Sequence, residues 1–401
     1  VATAPTSEAP DWRAAIHELA ALPRPSASDG ERRAAELIAS RLRAHGCRAV
    51  IEEESAHGTY WWPIGLANLV SAGFAAAALR RRAAGVRATA ALVATACAAG
   101  LWDDLGQGRR WFRRALPRRP TWNVVAEAGD SGAERTVVLI AHHDAAHSGL
   151  VFHPALGRIP PRLTPKLHER SRQSLPILYG VWAGPAMVAA GAVLGRRRLL
   201  GAGLTVALGA VAAMIDIGAR GVVPGANDNL AAVGVLLALA SALRERPLED
   251  LRVLLVSTGS EESFSEGMEA FGRRHFDELD PSRTEMLCLE CLGGPTLSVI
   301  EGEGMLRMRH YPKAMRDALG DAAADAGVPI ARGLRTVAAT DALVPLRAGY
   351  QVVTLASIDY TKLPLNYHWP SDVPEALHWH TIEDAVAVCE RFLTARAARG
   401  A

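Results

Sequence analysis

At 401 residues and a formal charge of only +2, the chain is long enough for a full α/β core plus an insertion. Its positive side is almost all arginine and is balanced by acids, which excludes a general nucleic-acid binder. Five cysteines, Cys47, Cys97, Cys288, Cys291 and Cys389, are odd in number and scattered, which excludes a disulfide framework. A mean hydropathy of +0.08 is high for a soluble enzyme, and because the excess is concentrated in a few stretches, a membrane-embedded part is expected.

Residues 1–10 lack the charged and apolar regions of a signal peptide and also lack an initiator Met, as a trimmed N-terminus would. Ser28-Asp29-Gly30-Glu31 reads as a capping box opening a helix with Ala34, Leu37, Ile38 and Leu42 on one apolar face, ended near Gly46. Residues 11–59 form the first part of a globular domain. Composition then shifts: residues 61–79 and 86–101 are Ala/Val/Leu/Gly-rich runs separated by Arg80, Arg81 and Arg82, a helical hairpin inserted over 60–102. The globular domain resumes over 121–150. A second hairpin over 176–218 pairs 176–195 with 199–218 around Arg196, Arg197 and Arg198, and the globular domain continues over 222–398. A membrane span needs roughly 20 apolar residues; three of the four runs approach this, and 86–101, holding Thr and Cys97, is the short one. Tyr60, Trp61, Trp62, Trp102 and Tyr179 are placed to form an aromatic belt at one interface. The alternative is a pair of buried hairpins in a large soluble protein.

Outside the hairpins, continuous apolar runs at 136–140, 251–257, 286–291 and 351–355 suit strands buried on both faces of a central, largely parallel sheet. The chemistry-bearing residues lie at or just beyond the ends of these runs, where open α/β sheets place ligands. The first run ends in Ala141-His142-His143-Asp144, a ligand-type imidazole followed by a carboxylate able to hold its other ring nitrogen. Asp228 lies between Asn227 and Asn229 at the start of an apolar helix, placed as a cap, a metal ligand or both. Glu261 and Glu262 follow the second run; adjacent acids repel unless their roles differ, as when one binds a metal and the other takes a proton, although a solvated pair opening a helix is the commoner pattern. Glu290 interrupts an apolar run and needs a partner. Cys288 and Cys291 flank it, but strand alternation turns them to opposite faces, against a sulfur-ligated zinc. His368, in a polar turn after the last run, is the closing imidazole.

The order His142, Asp228, Glu261-Glu262, Glu290, His368 resembles the co-catalytic zinc exopeptidases of peptidase family 28, which include bacterial leucyl aminopeptidase and glutamate carboxypeptidase. The resemblance covers nearly all the chain outside the hairpins, including Asn123-Val124-Val125-Ala126. It implies a three-layer α/β/α zinc-exopeptidase (phosphorylase/hydrolase-like) fold with a mostly parallel central sheet and a two-zinc site. In that site Asp228 bridges both ions, His142, Glu262, Glu290 and His368 complete the ligands, Glu261 is the general acid/base, and Asp144 is the carboxylate behind His142. Three features depart from the pattern. The position of Glu290 is more often Asp in the aminopeptidase branch, with a longer carboxylate in related carboxypeptidases. Trp369 stands where a small residue often follows the ligand His, and the gap between His142 and Asp228 holds a whole hairpin. Asp341 also resembles a family position, with a supporting role.

The implied function is hydrolysis of peptides, most simply as an aminopeptidase; a carboxypeptidase, a single-zinc aminoacyl cyclase and an inactive membrane scaffold are the alternatives. Arg109, Arg110, Trp111, Phe112, Arg113 and Arg114 form a basic-aromatic stretch suited to anionic headgroups or to a solvated flank. The expected partners are a peptide substrate and membrane lipid. Arginines at both hairpin tips and on 109–119 and 158–172 give conflicting orientations; without a signal peptide, the catalytic domain of a multi-pass bacterial inner-membrane protein is expected in the cytoplasm.

Overall fold

The structure, a computed structural model, describes residues 11–81 and 83–398; the N-terminal stretch 1–10 and Arg82 of the first tip lie outside the described residues. In chain order the elements are α1 (Asp11–Ala20), α2 (Asp29–Ala44), β1 (Arg48–Ala56), α3 (Trp61–Arg80), α4 (Ala84–Leu105), β2 (Arg119–Gly129) and β3 (Thr136–His142). Three short helices, α5 (Pro154–Gly157), α6 (Ile159–Leu163) and α7 (Pro165–Arg170), precede α8 (Tyr179–Val193), α9 (Arg197–Ala219) and α10 (Ala231–Glu245). Then come β4 (Arg252–Thr258), α11 (Glu266–His275), β5 (Thr284–Glu290), β6 (Thr296–Val299), β7 (Gly302–Glu303), β8 (Arg309–His310), α12 (Lys313–Asp325), β9 (Arg335–Thr336), α13 (Leu343–Ala348), β10 (Gln351–Ile358) and α14 (Trp379–Ala397).

Seven strands form one sheet in the order β1-β2-β4-β3-β5-β10-β6. Its centre, β4-β3-β5-β10, is parallel, and β1, β2 and β6 join antiparallel at the edges. All seven residues of β3 are buried, as expected of a strand covered on both faces, and α1, α2, α10, α12 and α14 pack around one core with it. Helices α11 and α13 pack on each other, α11 against β1 and β2 and α13 against β10. The parallel centre aims the C-terminal ends of β3, β4 and β5 and the loop after β10 at one edge, and the site is built there.

Helices α3, α4, α8 and α9 form a separate bundle. Close approach of α8 and α9 needs glycine: a Cβ on Gly191 would lie 2.5 Å from Leu200 N, and one on Gly203 2.6 Å from Val188 N. Leu69, Leu92, Val193, Leu208 and Ile215 are exposed on the bundle, and α3, α4 and α9 are long and apolar enough to cross a membrane. The lengths differ from the sequence reading. The run 86–101 belongs to a 22-residue helix, because Thr89 turns its hydroxyl onto the Gly85 carbonyl and the helix continues through Trp102, Asp103 and Asp104. The run 176–195 is the short one, with only 15 helical residues, since residues 174–178 leave the bundle to line the cavity over the site.

Candidate metal centre

β3 delivers His142 and, two residues on, Asp144, both fully buried. His142 Nδ1 lies 3.4 Å from Asp144 Oδ1, while its Nε2 is 3.2 Å from Asp228 Oδ1 and 3.6 Å from Glu290 Oε1. On the other side of the same carboxylate, His368 Nε2 is 3.2 Å from Asp228 Oδ2 and 3.2 Å from Glu262 Oε2. Asp228 thus faces two separate histidine–glutamate pairs with its two oxygens. Glu261 lines the same cavity as Asp228, Glu262, Glu290 and His368.

Asp228 is positioned from outside its own helix. It is not a cap: no side-chain cap bond is made at the start of α10, and the 226–230 turn that carries Asp228 has non-helical backbone there. The turn enters through Gly225, whose φ of +60° and whose neighbours Arg24 Nη2 and Asp228 O, both 2.6 Å from a built Cβ, exclude a larger residue. The Asp372 carboxylate accepts the N–H groups of Asn227 (2.7 Å) and Asp228 (3.1 Å). The flanking asparagines tie the turn to its neighbours: Asn229 accepts the Cys291 N–H and donates to Leu289 O, and Asn227 accepts the Gly293 N–H and donates to Leu365 O.

Asp144 sets the glutamate loop as well as His142, accepting the N–H groups of Glu261 (3.0 Å) and Glu262 (3.1 Å) and the Ser26 hydroxyl (2.6 Å). Ser260, Phe264 and Ser265 all have positive φ in this loop, so it is held from outside. One support is Glu31. It does not close a capping box but lies fully buried beneath the loop, accepting from Trp122 N–H (3.0 Å) and Ser260 Oγ (3.1 Å). Burial, reinforced by Asp144, pushes its carboxyl up to about 8. A second is Arg24, fully buried, whose guanidinium donates to the carbonyls of His143 (2.8 Å), Pro224 (2.6 Å) and Gly225 (2.9 Å). Burial lowers Arg24 to about 10, so it stays cationic beside Asp144 and Asp372.

The sequence reading did not single out Arg24 or Asp372 for a role and gave Glu31 only that of closing a capping box. It also set Cys291 aside with Cys288. Cys291 falls just past β5 with φ +51°, off the strand alternation, and its Sγ lies 3.2 Å from Glu290 Oε1, whereas Cys288 points toward Thr340. Asp341 accepts the Thr258 hydroxyl below the site, and burial raises it to about 7. His368 is clamped between aromatic rings, with Tyr367 stacked at 3.9 Å and Phe152 edge-on at 4.5 Å, and the unusual Trp369 packs on His153.

The charges decide what the cluster suits. Burial pushes Asp228 up, but the His142 and His368 imidazoles outweigh it and hold it below the ordinary carboxylate range. Burial pulls both imidazoles down, yet the carboxylates against them leave His142 well above its usual value and His368 at about 10. Glu262 and Glu290 are raised, chiefly by burial. Glu261 is raised furthest from the ordinary range, by burial and then, against the opposing effect of His142, by Asp341, Glu262 and Glu290. His142 Nε2, Asp228 Oδ2 and Glu262 Oε1 are buried without a hydrogen-bond partner. Five carboxylates, Asp144, Asp228, Glu261, Glu262 and Glu290, are thus gathered in low dielectric with Arg24 as the permanent cation beside them. Imidazole and carboxylate donors of this kind fit zinc.

The cavity above the cluster has a volume of about 130 Å³ and is walled by Tyr60, Phe152, Ile177, Leu178, Phe264 and Met305. Tyr60 is therefore not part of an exposed belt; it is buried and stacks on Phe264 at 5.3 Å. Trp102 and Tyr179 do remain exposed at the bundle's end.

A mixed sheet with a parallel centre and a buried histidine–carboxylate cluster at its strand ends defines a zinc-exopeptidase-type hydrolase. The profile of peptidase family M28 matches residues 211–393, so this part of the chain is similar to that family of peptidase-like hydrolases. Searching the curated proteins finds no match. Among solved structures, a leucine aminopeptidase precursor from Bacteroides thetaiotaomicron VPI-5482 is similar at a TM-score of 0.56 and 12% identity, covering 98% of this chain and 99% of its own. A glutaminyl cyclase from Bacteroides thetaiotaomicron has the same TM-score, identity and coverage. The zinc aminopeptidase of Bacillus subtilis is similar at a TM-score of 0.52 and 13% identity, covering 95% of this chain and 93% of its own. At these identities the likeness is one of fold.

Proposed function

We propose that the chain is a membrane-inserted, two-zinc aminopeptidase acting on peptides with an apolar first residue. The observation that carries this reading is the split environment of Asp228: Oδ1 with His142 and Glu290, Oδ2 with His368 and Glu262, each group being a ligand set for one ion around a shared carboxylate. Asp144 lies 3.4 Å from the other nitrogen of His142 and, through two backbone N–H groups, orients both glutamates. When bound, zinc supplies Lewis acidity toward the scissile carbonyl and a lowered pKa for water. Glu261 takes the proton of the attacking water on its carboxylate and returns it to the leaving amine nitrogen.

An aminopeptidase is favoured over a carboxypeptidase by the charges around the cavity. Among the described residues no arginine lines it, and its lysine, Lys362, is committed to the His168 and Ser171 carbonyls, so a substrate carboxylate has no free lysine or arginine partner. The carboxylates suit an α-ammonium, and the apolar walls suit an apolar side chain beside it. Membrane insertion is supported by α3, α4 and α9 and by the exposed apolar side chains of the bundle.

The test is zinc content measured together with hydrolysis of free, N-blocked and C-blocked peptides. Two zinc ions per chain, loss of cleavage on N-blocking and tolerance of C-blocking are expected. Cleavage of N-blocked peptides would overturn the aminopeptidase reading, and one zinc with ring closure of N-terminal glutamine would make the chain a cyclase. Glu261→Gln is expected to keep its zinc and lose activity by roughly 10²–10⁴-fold; near wild-type turnover would remove Glu261 from its role.

A further inference from the structure

A second cleft, about 660 Å³ in volume, is lined by Arg109, Arg110, Arg114, Arg118, Arg273 and Arg347. We propose that this cleft binds a phosphate-bearing anion, of the kind presented by a phospholipid headgroup or a small phosphomonoester.

The first argument is uncompensated charge. Among the described residues, Arg109, Arg114, Arg118, Arg273 and Arg347 have no carboxylate within ion-pairing distance. The acids that line the cleft are Glu266 and Glu269. Glu266 is already held by His57 and by Ser263 Oγ at 2.7 Å, and Glu269 pairs with Arg110 Nη2 at 3.0 Å. Burial lowers Arg347 below the ordinary guanidinium range, with Arg309 and Arg110 adding to it and Glu269 and Asp103 opposing it. Guanidinium groups left this close together suit a multidentate oxyanion.

The second argument is a buried donor without a partner. Arg110 is only 6% exposed, and while its Nη2 is spent on the Phe264 carbonyl and Glu269 and its Nη1 lies 3.9 Å from Glu266 Oε1, neither its Nε nor its Nη1 makes a hydrogen bond. A buried guanidinium edge left open at the wall of a cleft is costly unless a ligand or water completes it.

Position favours a lipid source. Arg109 and Arg110 follow closely on Leu105, the last residue of α4, and the half-exposed Trp111 ring packs against Gly100 of that helix. The cleft therefore opens at the end of an apolar helix beside an exposed indole, the level at which headgroup phosphates lie if α4 spans a membrane.

The experiment uses the full chain in neutral detergent. Retention of phosphatidylglycerol and of phosphatidylcholine is counted by native mass spectrometry, with glycerol 3-phosphate as competitor, for the wild type and for the double variant Arg114→Glu/Arg347→Glu. Both side chains are exposed, and a thermal melt checks that the variant folds. Preferential retention of phosphatidylglycerol by the wild type is expected, reduced at least about tenfold in the variant. Displacement by glycerol 3-phosphate assigns the site to soluble phosphates as well; retention against it assigns the site to the lipid headgroup, and either outcome supports an oxyanion site. Equal retention of the two lipids without glycerol 3-phosphate binding, or a variant indistinguishable from the wild type, overturns it. Because peptide hydrolysis is not a readout, the result is independent of the aminopeptidase reading.

Discussion

Helix α4 and the segment Ala226–Glu245 that ends in α10 are both long and apolar enough to cross a membrane, yet they occupy opposite surroundings. Of its apolar window, the α10 segment has 83% buried inside the protein, and α4 has 22%. α10 is wrapped on every side, with Leu236, Leu237 and Leu239 packed among β3, α1 and α14, and it starts directly beyond Asp228. α4 buries Ala90 and Ala94 along its length and Leu101 and Leu105 at its end, and leaves Leu92 72% exposed. Equal apolarity thus serves two purposes: in α10 it anchors the turn that aims Asp228, and in α4 it turns outward. The distinction lies in what surrounds each helix.

The largest effect expected from breaking this contrast is in α10. Leu236→Ala should cost about 2–5 kcal/mol of stability, whereas Leu92→Ala should stay within about 0.5 kcal/mol, both read from denaturation in detergent. Leu92→Arg sharpens the same point: an arginine at mid-helix should impair insertion by about 2.5–3.5 kcal/mol in a membrane-integration assay while leaving detergent stability nearly unchanged. Recovery of the active arginine variant from the soluble fraction, together with the wild type, would place α4 in water.

Within the bundle, Gly203→Leu should cost about 1–3 kcal/mol, because a side chain there meets the α8 backbone at Val188. Since Gly203 meets Val188 of the cluster that also holds Leu200, away from the bundle residues Ile64, Leu101 and Met214 that pack with the cavity walls, peptide hydrolysis at 25 °C should persist while the melting temperature falls. Loss of both together would show that the two regions fold as one unit.

These contrasts also explain what could be read from the sequence. Strands β3, β4, β5 and β10 are continuous apolar runs, a pattern that only a sheet covered on both faces needs, so their ends could be located and the residues just beyond them examined. The convergence of His142, Glu290, Glu262 and His368 on Asp228 follows from that parallel topology. Arg24, Glu31 and Asp372 carry no such pattern. Each acts by bonding backbone groups far along the chain, as Arg24 does at His143 and Pro224, and such bonds exist only once the loops are in place. Cys288 and Cys291 do point to different partners, although strand alternation was extended one residue too far to reach that reading, since the strand ends at Glu290 and Cys291 has positive φ. The run from residue 176 was read as longer than α8 because Ile177 and Leu178 look like helix but serve as cavity wall.

The smallest predicted effect tests where the two regions meet. Gln107, buried at the foot of α4, donates to Ser265 Oγ at 3.2 Å, and Ser265 Oγ lies 3.5 Å from Glu261 Oε1. With Ser265 at positive φ, the loop gains from a partner outside itself, and that partner comes from the apolar hairpin. Gln107→Leu removes one hydrogen bond of about 0.5–1.5 kcal/mol, so kcat should fall roughly two- to tenfold. KM and zinc content should hold, since the cavity walls and the four residues around Asp228 are untouched. A matching loss of zinc would mean that Gln107 supports the whole loop, and unchanged kcat would mean that the hairpin and Glu261 are uncoupled. A kcat effect alone would make the foot of α4 a positioning element for Glu261, linking the helix that turns its apolar side chains outward to the loop that carries the proton.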